Sequence, residues 1–421
     1  MQNSNVMFST FIKTLREDGE LFEITTPASP EYELTQLSNK HKGAMLFHNV
    51  NGWKVAVNIL GTRELLAKAL DIPKEEIVHT LSTIDSDGTV RIIDKPGEEM
   101  IEETDLSKLP ILTHYENDGG SYITAGIVIS EYGGVENASI HRLMVIDGKK
   151  VAARLVEGRH TDNLYQRAKK DNKPLPVAVA IGVDPVILYA ACTRVPEGRE
   201  FFYASAIKGE AVELFRCGNG IKVPPCEILL EGYIDKELHN EGCFVDITGT
   251  YDNTRLQPVI HITKILHRKN PIYHAILPSS GEHKILMGIP YEPLIYKEAQ
   301  KHARVNNVIL SDGGCCYLHA LIQISKRHEH EPEAVIQAAF KAHRSLKHVV
   351  VVDDDIDIFN PLDVEYAIAT RVQADKDLYI YPNQRGSSLD PSRKTDGTTS
   401  KIGIDATCEL ARKNEYQRIT T

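Results

Sequence analysis

Seven polar side chains in the middle of this chain could do chemistry, because together they offer metal ligands, a cation and proton-transfer groups. They are Asn137, Ser139, Arg142, His160, Glu200, Glu241 and Asp246. An amide oxygen, an imidazole nitrogen and a carboxylate form a suitable ligand set for a hard or borderline divalent ion such as Mn²⁺ or Mg²⁺. The long separations between Asn137, His160 and Glu200 match no local metal motif. Capping and surface roles therefore remain open for these three residues.

Arg142 lies in an apolar segment, ENASIHRLMV, in which Asn137 and Ser139 share one face of a strand and Arg142 has the opposite parity. An arginine in such a setting needs a partner, and its planar guanidinium suits two-pronged binding of a carboxylate. Glu241 and Asp246 occur in EGCFVDITGTYD, a glycine-containing loop that can fold back toward it. The group is either a structural ion pair or a site where coupled carboxylates keep one acid protonated for proton transfer.

Composition limits the classes of protein to consider. The chain has 421 residues, 42% hydrophobic content and a net charge of -10, which argues against nucleic acid as a main partner. The first residues show no cationic and apolar leader pattern, and no segment has the long apolar run of a membrane helix. Seven cysteines without a CxxC pair fit a reducing compartment. We expect a cytoplasmic protein with no nucleic-acid or membrane partner.

The elements that must position these residues fall into three predicted domains, an overall α/β and α+β fold. Residues 1–105 read as a small α/β domain, with an amphipathic helix in FSTFIKTLRED and two strands around an Asn51-Gly52 turn. An acidic stretch with prolines and glycines follows and marks a boundary.

Residues 106–285 are dominated by strand patterns and predict a mostly antiparallel barrel or curled sheet. Two short helices interrupt the strands. Thr161 is expected to cap one of them, and Asp184 with Pro185 at the first helical position begins the other. Residues 286–421 alternate helices with continuous apolar strands such as HVVVV. This pattern predicts a third, α/β domain with a parallel sheet covered on both faces.

The motifs of the central and C-terminal segments resemble those of the UbiD family of decarboxylases, from about residue 120 to 410 and in outline over the whole chain. The segments that carry the resemblance are ENASIHR, RH at Arg159 and His160, EGREFFYASAIKGEAVEL, EILLEGYI, EGCFVDITGTY, VVVDDDIDIFNPLDVEYAIATRVQADKDL, RGSSLDPS and KIGIDAT. Their number and order carry the assignment, since no single motif decides it. The resemblance implies a central split β-barrel that binds a flavin.

The family carries out reversible, non-oxidative decarboxylation with prenylated FMN, which a partner flavin prenyltransferase supplies. The resemblance implies that the metal ligands are Asn137, His160 and Glu200, with Mn²⁺ (or Mg²⁺) bridging to the cofactor phosphate. It places Ser139 near that phosphate. It also implies that backbone carbonyls within AACTR hold K⁺ beside the phosphate, a segment that includes Ala191, Cys192 and Arg194.

Arg142 and Glu241 match the family's catalytic arginine and its paired glutamate. At Asp246 this chain departs from the family pattern, because EGPFGE is replaced by EGCFVD and the proton-donating glutamate becomes an aspartate one methylene shorter. The resemblance implies that Asp246 protonates the carbon that loses CO₂, while the flavin supplies the electron-sink chemistry. If Asn137 and Ser139 face the metal and phosphate while Arg142 faces the substrate, a bulge or strand end must separate them.

The form EGCFVDITGTY resembles archaeal-type members that convert trans-anhydromevalonate 5-phosphate to isopentenyl phosphate and CO₂ in isoprenoid biosynthesis by a mevalonate pathway. His283 and Lys284 are candidate anchors for the substrate phosphate, although a solvated loop explains them equally well. One alternative is decarboxylation of a 4-hydroxybenzoate-type aromatic acid in quinone biosynthesis. Another is a non-catalytic flavin- or metal-binding subunit. The family also implies a homo-oligomer, a dimer or higher.

Overall fold

The computed structural model describes residues 7–94 and 99–419. It divides into two compact units. One comprises the described residues up to Ile72 and those from Ile84 to His283, and the other comprises Pro73–Thr83 and the described residues from Lys284 onward. The predicted mixed α/β architecture with several sheets is confirmed.

The N-terminal segment is a small α/β arrangement, as its sequence pattern predicts. Its elements are α1 (Phe8–Glu17), β1 (Leu21–Ile24), α2 (Glu33–Ser38), β2 (Ala44–Val50), β3 (Trp53–Val57), α3 (Arg63–Leu70), α4 (Ile77–Thr83) and β4 (Val90–Ile93). The predicted turn joins β2 to β3, and both Asn51 and Gly52 have positive φ. Glycine and asparagine tolerate this backbone conformation better than other residues. Helix α1 buries Phe8, Phe11 and Leu15, the helical spacing of an amphipathic face.

The central segment is rich in strands, most of them antiparallel. Its strands are β5 (Ile101–Glu103), β6 (Tyr122–Ile123), β7 (Ile127–Tyr132), β8 (Val135–Ile140), β9 (Leu143–Asp147), β10 (Lys150–Ala153), β11 (Leu175–Val183), β12 (Val212–Arg216), β13 (Lys222–Val223), β14 (Cys226–Glu241), β15 (Phe244–Val245), β16 (Tyr251–Asp252), β17 (Arg255–His267) and β18 (Ile272–Ala275). Its helices are α5 (His160–Lys170), α6 (Pro185–Cys192) and α7 (Glu200–Lys208).

One nine-stranded antiparallel sheet carries the candidate site. Its strand order is β6-β9-β10-β17-β14-β11-β7-β8, with β5 added to β17. Strands β1, β2, β3 and β18 form a second sheet, β4, β12 and β13 a third, and β15 with β16 a short hairpin. Apolar residues of the first two sheets share a buried core that includes Phe47, Val179, Leu230 and Tyr273. Burial of these apolar side chains stabilises the arrangement of strands that positions the site.

The two predicted helix starts in this segment have different outcomes. The carboxylate of Asp184 accepts the N–H of Val186 at 2.8 Å and Pro185 opens α6, so this prediction is confirmed. The prediction that Thr161 caps α5 is wrong, because α5 already begins at His160 and the Thr161 side chain is buried among polar groups of the sheet.

The second compact unit contains a five-stranded sheet. The elements from its N-terminal boundary onward are α8 (Gly281–Gly288, whose first residues belong to the first unit), α9 (Glu292–Ala299), β19 (Val305–Leu310), β20 (His319–Ile324), α10 (Glu331–Ala342), β21 (His348–Asp353), α11 (Pro361–Arg371), β22 (Leu378–Arg385) and β23 (Thr398–Ala406). Short 3₁₀ turns cover Leu106–Lys108, Ile289–Tyr291, Asp312–Gly314 and Leu410–Tyr416.

The order of this sheet is β19-β20-β21-β23-β22. Strands β20, β21 and β23 are parallel, as predicted for a strand such as β21 that is buried along almost its whole length. The two outer strands are antiparallel to their neighbours, so the sheet is mixed and the prediction of a parallel sheet holds only for its centre. Across residues 7–94 and 99–419, no helix combines the length and the apolar character needed to cross a membrane.

Candidate active site

The polar segment around Asn137 and Arg142 spans a break between two strands. Strand β8 ends at Ile140 and pairs with β7, whereas β9 begins at Leu143 and pairs with β6 and β10. The interruption predicted from side-chain parity is therefore present as a strand end. It separates the side chains of Asn137 and Ser139, which join one polar cluster, from that of Arg142, which joins another.

The first cluster, called here the hydroxyl cluster, consists of Asn137, Ser139, His141 and Thr161. The amide nitrogen of Asn137 donates to the hydroxyl oxygens of Ser139 at 3.0 Å and Thr161 at 2.8 Å. The two hydroxyl oxygens are 2.9 Å apart. His141 Nε2 lies 2.8 Å from the Ser139 hydroxyl and 3.0 Å from that of Thr161. Alternate residues of β8 and its extension thus face the first turn of α5.

The protonation of His141 follows from its surroundings. Its Nδ1 lies 3.0 Å from the carbonyl oxygen of Arg154, which can only accept a proton, so Nδ1 carries the hydrogen and Nε2 is free to accept from a hydroxyl. Burial lowers the pKa of His141 to about 4, against the opposing effect of that carbonyl. Near neutral pH the ring is uncharged, and its Nε2 accepts one hydroxyl proton, from Ser139 or from Thr161.

The second cluster, called here the acid–arginine cluster, consists of Arg142, Glu241, Asp246 and Asp252. Arg142 donates from Nε to Glu241 Oε1 at 2.8 Å and from Nη2 to Glu241 Oε2 at 3.1 Å. It also donates from Nη2 to Asp252 at 2.9 Å and from Nη1 to Asp246 at 3.5 Å. The Glu241 side chain has 0% exposure. The predicted convergence of Arg142, Glu241 and Asp246 is thus seen in the structure.

Strand order explains why these residues meet. Arg142 precedes β9, Glu241 ends β14 and Arg255 begins β17, and in the order β9-β10-β17-β14 these ends lie along one edge of the antiparallel sheet. The β15–β16 hairpin then turns back from β14 and brings Asp246 and Asp252 to the guanidinium. Arg142 also lies over the ring of Phe244, 4.8 Å from its centroid, a cation–π contact that restricts the arginine further.

Electrostatics keep Arg142 charged. Burial by itself lowers the pKa of Arg142, but the hydrogen bonds and charge of Glu241, with smaller contributions from Asp252 and Asp246, raise it overall. For Asp252 burial acts in the opposite direction and raises the pKa. Hydrogen bonding by Arg255 and the charge of Arg142 outweigh burial and lower the pKa of Asp252 to about 2. Arg142 and Asp252 are therefore charged near neutral pH, and the Glu241 side chain that Arg142 contacts is fully shielded from solvent.

Asp246 lies in the hairpin loop and is the most exposed acid of the cluster, at 17% against 12% for Asp252. Its Oδ1 accepts the N–H of Ile247 at 2.7 Å and lies 3.9 Å from His283 Nε2. His283 Nδ1 accepts the N–H of Ser279 at 3.1 Å, so in the neutral ring the hydrogen is on Nε2, on the side of Asp246. A carboxyl that touches both an arginine and solvent is suited to carry a proton in and out of the site.

Two of the three predicted metal ligands, His160 and Glu200, lie close together. Glu200, at the first turn of α7, is buried, and His160 Nδ1 lies 3.8 Å from its Oε1. Burial raises the pKa of Glu200 to about 7, although backbone N–H groups of Glu200 and Ala138 donate to the carboxylate. Ala138 is the chain neighbour of Asn137, whose side chain is buried. A buried carboxylate near an imidazole and an amide is the ligand chemistry that Mn²⁺ or Mg²⁺ takes.

The residues predicted to hold a monovalent cation lie at the end of α6. Ala191 and Cys192 are its last two residues, and Arg194 follows, exposed, two residues later. The final carbonyls of a helix lack intrahelical partners and carry the negative end of its dipole. Thr193 already donates its backbone N–H to the carbonyl of Ala190 and its hydroxyl to that of Tyr189. The carbonyls at this helix end have the chemistry that K⁺ takes.

Sequence reasoning missed three members of the two clusters: His141, Thr161 and Asp252. A signal for His141 was present, because residues 137, 139 and 141 share one strand face. Asp252 lies in the quoted segment EGCFVDITGTYD, six positions after Asp246, but nothing local shows that a hairpin would return it to the same guanidinium. Thr161 was assigned to a helix cap. Its contact with Asn137 depends on how α5 packs on the sheet.

Comparison with known proteins gives one consistent result. Three family models match consecutive parts of the chain, described as the N-terminal domain (residues 12–84), the Rift-related domain (91–281) and the C-terminal domain (284–406) of 3-octaprenyl-4-hydroxybenzoate carboxy-lyase. Together they cover well over half of the chain.

Similar whole proteins agree with these matches. The chain is 57% identical to the anhydromevalonate phosphate decarboxylase of Methanosarcina mazei, with 98% of each chain covered. Among solved structures, it is similar to the UbiD-class enzyme HmfF from Pelotomaculum thermopropionicum in complex with FMN, at 36% identity and a TM-score of 0.94, covering 98% of this chain and 97% of that one. An evolved dimeric form of HmfF in complex with prFMN has 34% identity and a TM-score of 0.90, covering 99% and 97%.

Proposed function

This chain belongs to the UbiD family of carboxy-lyases, and from that premise we propose that it decarboxylates trans-anhydromevalonate 5-phosphate to isopentenyl phosphate and CO₂ with prenylated FMN as cofactor. The substrate rests on the similarity to relatives named anhydromevalonate phosphate decarboxylase, which extends over almost the whole of both chains. The reaction type rests on one contact, that of the Arg142 guanidinium with both Glu241 and Asp246.

The reaction exchanges a carbon–carbon bond for a carbon–hydrogen bond, so one proton must reach the carbon that CO₂ leaves. We assign this proton to the carboxyl group of Asp246, which is the most exposed acid of the cluster, at 17% against 12% for Asp252 and 0% for Glu241. Its shorter side chain still reaches Arg142, at 3.5 Å. Asp246 donates the proton to the substrate carbon and regains one from water through its exposed side. Arg142 and Glu241 orient the donor and hold the substrate in a dry, charged environment.

The cofactor, when bound, supplies an electron sink for the carbon–carbon bond that breaks. We propose that Asn137, His160 and Glu200 hold a Mn²⁺ or Mg²⁺ ion at its phosphate, and that Ser139 hydrogen-bonds the same phosphate. The carbonyls around Ala191, Cys192 and Arg194 would hold K⁺ nearby. Support comes from the donor chemistry at each position and from the hydroxyl cluster, in which Nε2 of His141 accepts the proton of one hydroxyl and the other hydroxyl can donate to an anion.

The proposal also includes two protein partners. A flavin prenyltransferase would supply the modified cofactor, a proposal supported by the similar structure of an evolved HmfF in complex with prFMN. A second copy of the chain would form a homo-oligomer, a dimer or higher. Elution volume and light scattering of the purified protein test whether it forms a homo-oligomer. Flavin absorbance with and without co-expression of a prenyltransferase tests whether that enzyme supplies the cofactor.

The decisive experiment is an activity assay on protein co-expressed with a flavin prenyltransferase, with CO₂ release followed from two acids in parallel. These are trans-anhydromevalonate 5-phosphate and 4-hydroxybenzoate. Release from the phosphorylated acid alone supports the proposal. Release from the aromatic acid alone would keep the decarboxylase and overturn the substrate. No release from either acid, with prenylated flavin bound, would contradict both substrates and leave the type of chemistry standing.

A further inference from the structure

Tyr122 lies on the same face of the sheet as Arg142. In the pairing of β6 with β9, Tyr122 is directly opposite Met144. The ladder of β9 with β10 continues as far as Arg142, whose carbonyl accepts the N–H of Arg154 at 3.1 Å. Met144 and Arg142 are alternate residues of this extended segment, so their side chains point to the same side of the sheet. Tyr122 is therefore placed on that side too, and its side chain is fully buried.

The ring of Tyr122 packs against the β15–β16 hairpin, which carries two acids of the acid–arginine cluster. Its centroid lies 4.6 Å from that of Phe244, and the two rings form a small buried core with Met144 and Ala152. Phe244 in turn lies under the guanidinium of Arg142, 4.8 Å from the ring centroid. Tyr122, Phe244 and Arg142 thus contact one another in series. A shift of the tyrosine ring therefore changes the support of the guanidinium.

The hydroxyl of Tyr122 makes a second contact, with the backbone that leads from β14 into the hairpin. It donates to the carbonyl oxygen of Cys243 at 3.2 Å, and the N–H of Gly119 donates to the same oxygen at 2.8 Å. Gly119 packs so closely here that a Cβ atom would lie 2.1 Å from the carbonyl oxygen of Gly242. Two donors and a close backbone contact therefore hold the chain that follows Glu241.

The charge state of Tyr122 suits a fixed donor. Burial raises the pKa of Tyr122, and the charge of Glu241 raises it further, whereas that of Arg142 lowers it. The hydroxyl therefore keeps its proton near neutral pH. Its hydrogen-bond acceptor is a backbone carbonyl, so its effect on the acids of the cluster passes through the chain rather than through direct proton transfer.

We propose that Tyr122 is a positioning residue for proton transfer by Asp246, because its hydroxyl fixes the chain that enters the hairpin and its ring fixes Phe244 under Arg142. This inference rests on the proposed function. Glu241 and Asp246 lie five positions apart and both contact the same guanidinium, so their relative placement depends on the shape of this short span. Proton transfer depends steeply on the position of the donor. Loss of the support should therefore slow turnover more than it weakens substrate binding.

The test measures kcat and KM of the holoenzyme on the phosphorylated acid, with kcat expressed per bound flavin. Tyr122→Phe removes only the hydroxyl and is expected to lower kcat roughly 3- to 10-fold, as for one lost hydrogen bond, with KM changed less than about twofold. Tyr122→Leu also removes the ring and should lower kcat further. Tyr273→Phe is the matched control and should leave kcat unchanged. Tyr273 is also fully buried, and its hydroxyl has no hydrogen-bond partner in the part of the chain that the structure describes.

Two readouts separate positioning from general support of the fold. The solvent deuterium isotope effect on kcat should rise in both Tyr122 variants, because a misplaced donor makes proton transfer slower relative to the other steps. In a double-mutant cycle, Tyr122→Leu combined with Phe244→Leu should lower kcat by clearly less than the product of the two single effects, since the tyrosine ring acts through Phe244. Effects that multiply, or an unchanged isotope effect, would overturn the inference.

A purely structural role predicts a different pattern, in which bound flavin and the thermal midpoint fall while kcat per flavin stays at the wild-type value. That pattern, or a rise in KM alone, would also overturn the inference. Hydrogen exchange gives a readout that needs no substrate. Backbone amides of the β15–β16 hairpin should exchange faster in Tyr122→Phe than in the wild type or Tyr273→Phe, and equal exchange would contradict the proposed contact. If exchange changes as expected but the wild type releases no CO₂ from the phosphorylated acid, the proposed function fails and the support of the hairpin by Tyr122 stands.

Discussion

Arg142 and Glu241 are joined by two parallel hydrogen bonds, 2.8 and 3.1 Å long, although 99 positions separate them in the chain. The carboxylate has no exposed surface, so almost none of its attraction to the guanidinium is screened by water. A buried ion pair of this kind fixes the orientation of its side chains, whereas its net contribution to the free energy of folding is often small. Its value here is that it fixes the direction of a guanidinium that also contacts Asp246 and Asp252.

Replacing Glu241 with Gln should lower turnover by about 100-fold or more, because one oxygen acceptor and the negative charge that orients Arg142 are lost. Steady-state kinetics on the phosphorylated acid provide the measurement, with flavin absorbance to confirm that cofactor is retained. Glu237→Gln is the matched control, since Glu237 lies on the same strand but is exposed and pairs with Lys150. Equal activity in the two variants would contradict an orienting role for Glu241.

Replacing Asp246 with Asn should lower turnover by a factor of about 10² to 10⁴, because the amide cannot donate a carboxylic proton. The flavin content should stay unchanged. Asp246→Glu restores an acid with one more methylene and should retain measurable activity. Single-turnover CO₂ release and product formation are the measurements. If Asp246→Asn keeps wild-type turnover, the proton comes from another group.

Replacing His160 with Ala should lower metal and flavin occupancy together, because the imidazole is one of three proposed ligands of an ion that would help to hold the cofactor phosphate. Elemental analysis of Mn²⁺ in the purified protein measures the metal occupancy, and its flavin absorbance measures the flavin occupancy. His302→Ala, at an exposed position in the second unit, is the control. Unchanged occupancy of both metal and flavin in His160→Ala would remove His160 from the ligand set.

The stability of the cofactor-free protein should depend on pH through His141. Its pKa is about 4 in the folded chain and near 6.5 when unfolded. Between these values the unfolded chain binds the extra proton, so stability falls as pH drops from about 6.5 to 4, by up to about 3 kcal/mol. Thermal midpoints measured across this range should fall less steeply in His141→Gln than in the wild type.

The control for this pH dependence is His302→Gln, which should retain the wild-type slope because that side chain is exposed. An identical slope in wild type and His141→Gln would mean that the folded state protonates His141 as readily as the unfolded chain does. That result would contradict the burial of the ring against the Arg154 carbonyl and the Ser139 and Thr161 hydroxyls.

The sequence by itself determined the features that a few neighbouring residues control. Alternation along ENASIHRLMV separated Asn137 and Ser139 from Arg142 and required the strand end that follows Ile140. The Asn51-Gly52 turn and the Asp184-Pro185 helix start follow from backbone preferences of those residues. The resemblance to the family suggests the roles of the candidate site residues, because the motifs that contain them occur in the order typical of the family.

Only the tertiary structure decided which distant residues meet. Thr161 joins the hydroxyl cluster because α5 packs against β8, and Asp252 reaches Arg142 because the β15–β16 hairpin turns back on the end of β14. Arg154 lies next to Arg142 because β10 pairs with β9. Local preferences act over a few residues, whereas these contacts depend on long-range strand pairing and burial, which no short segment specifies.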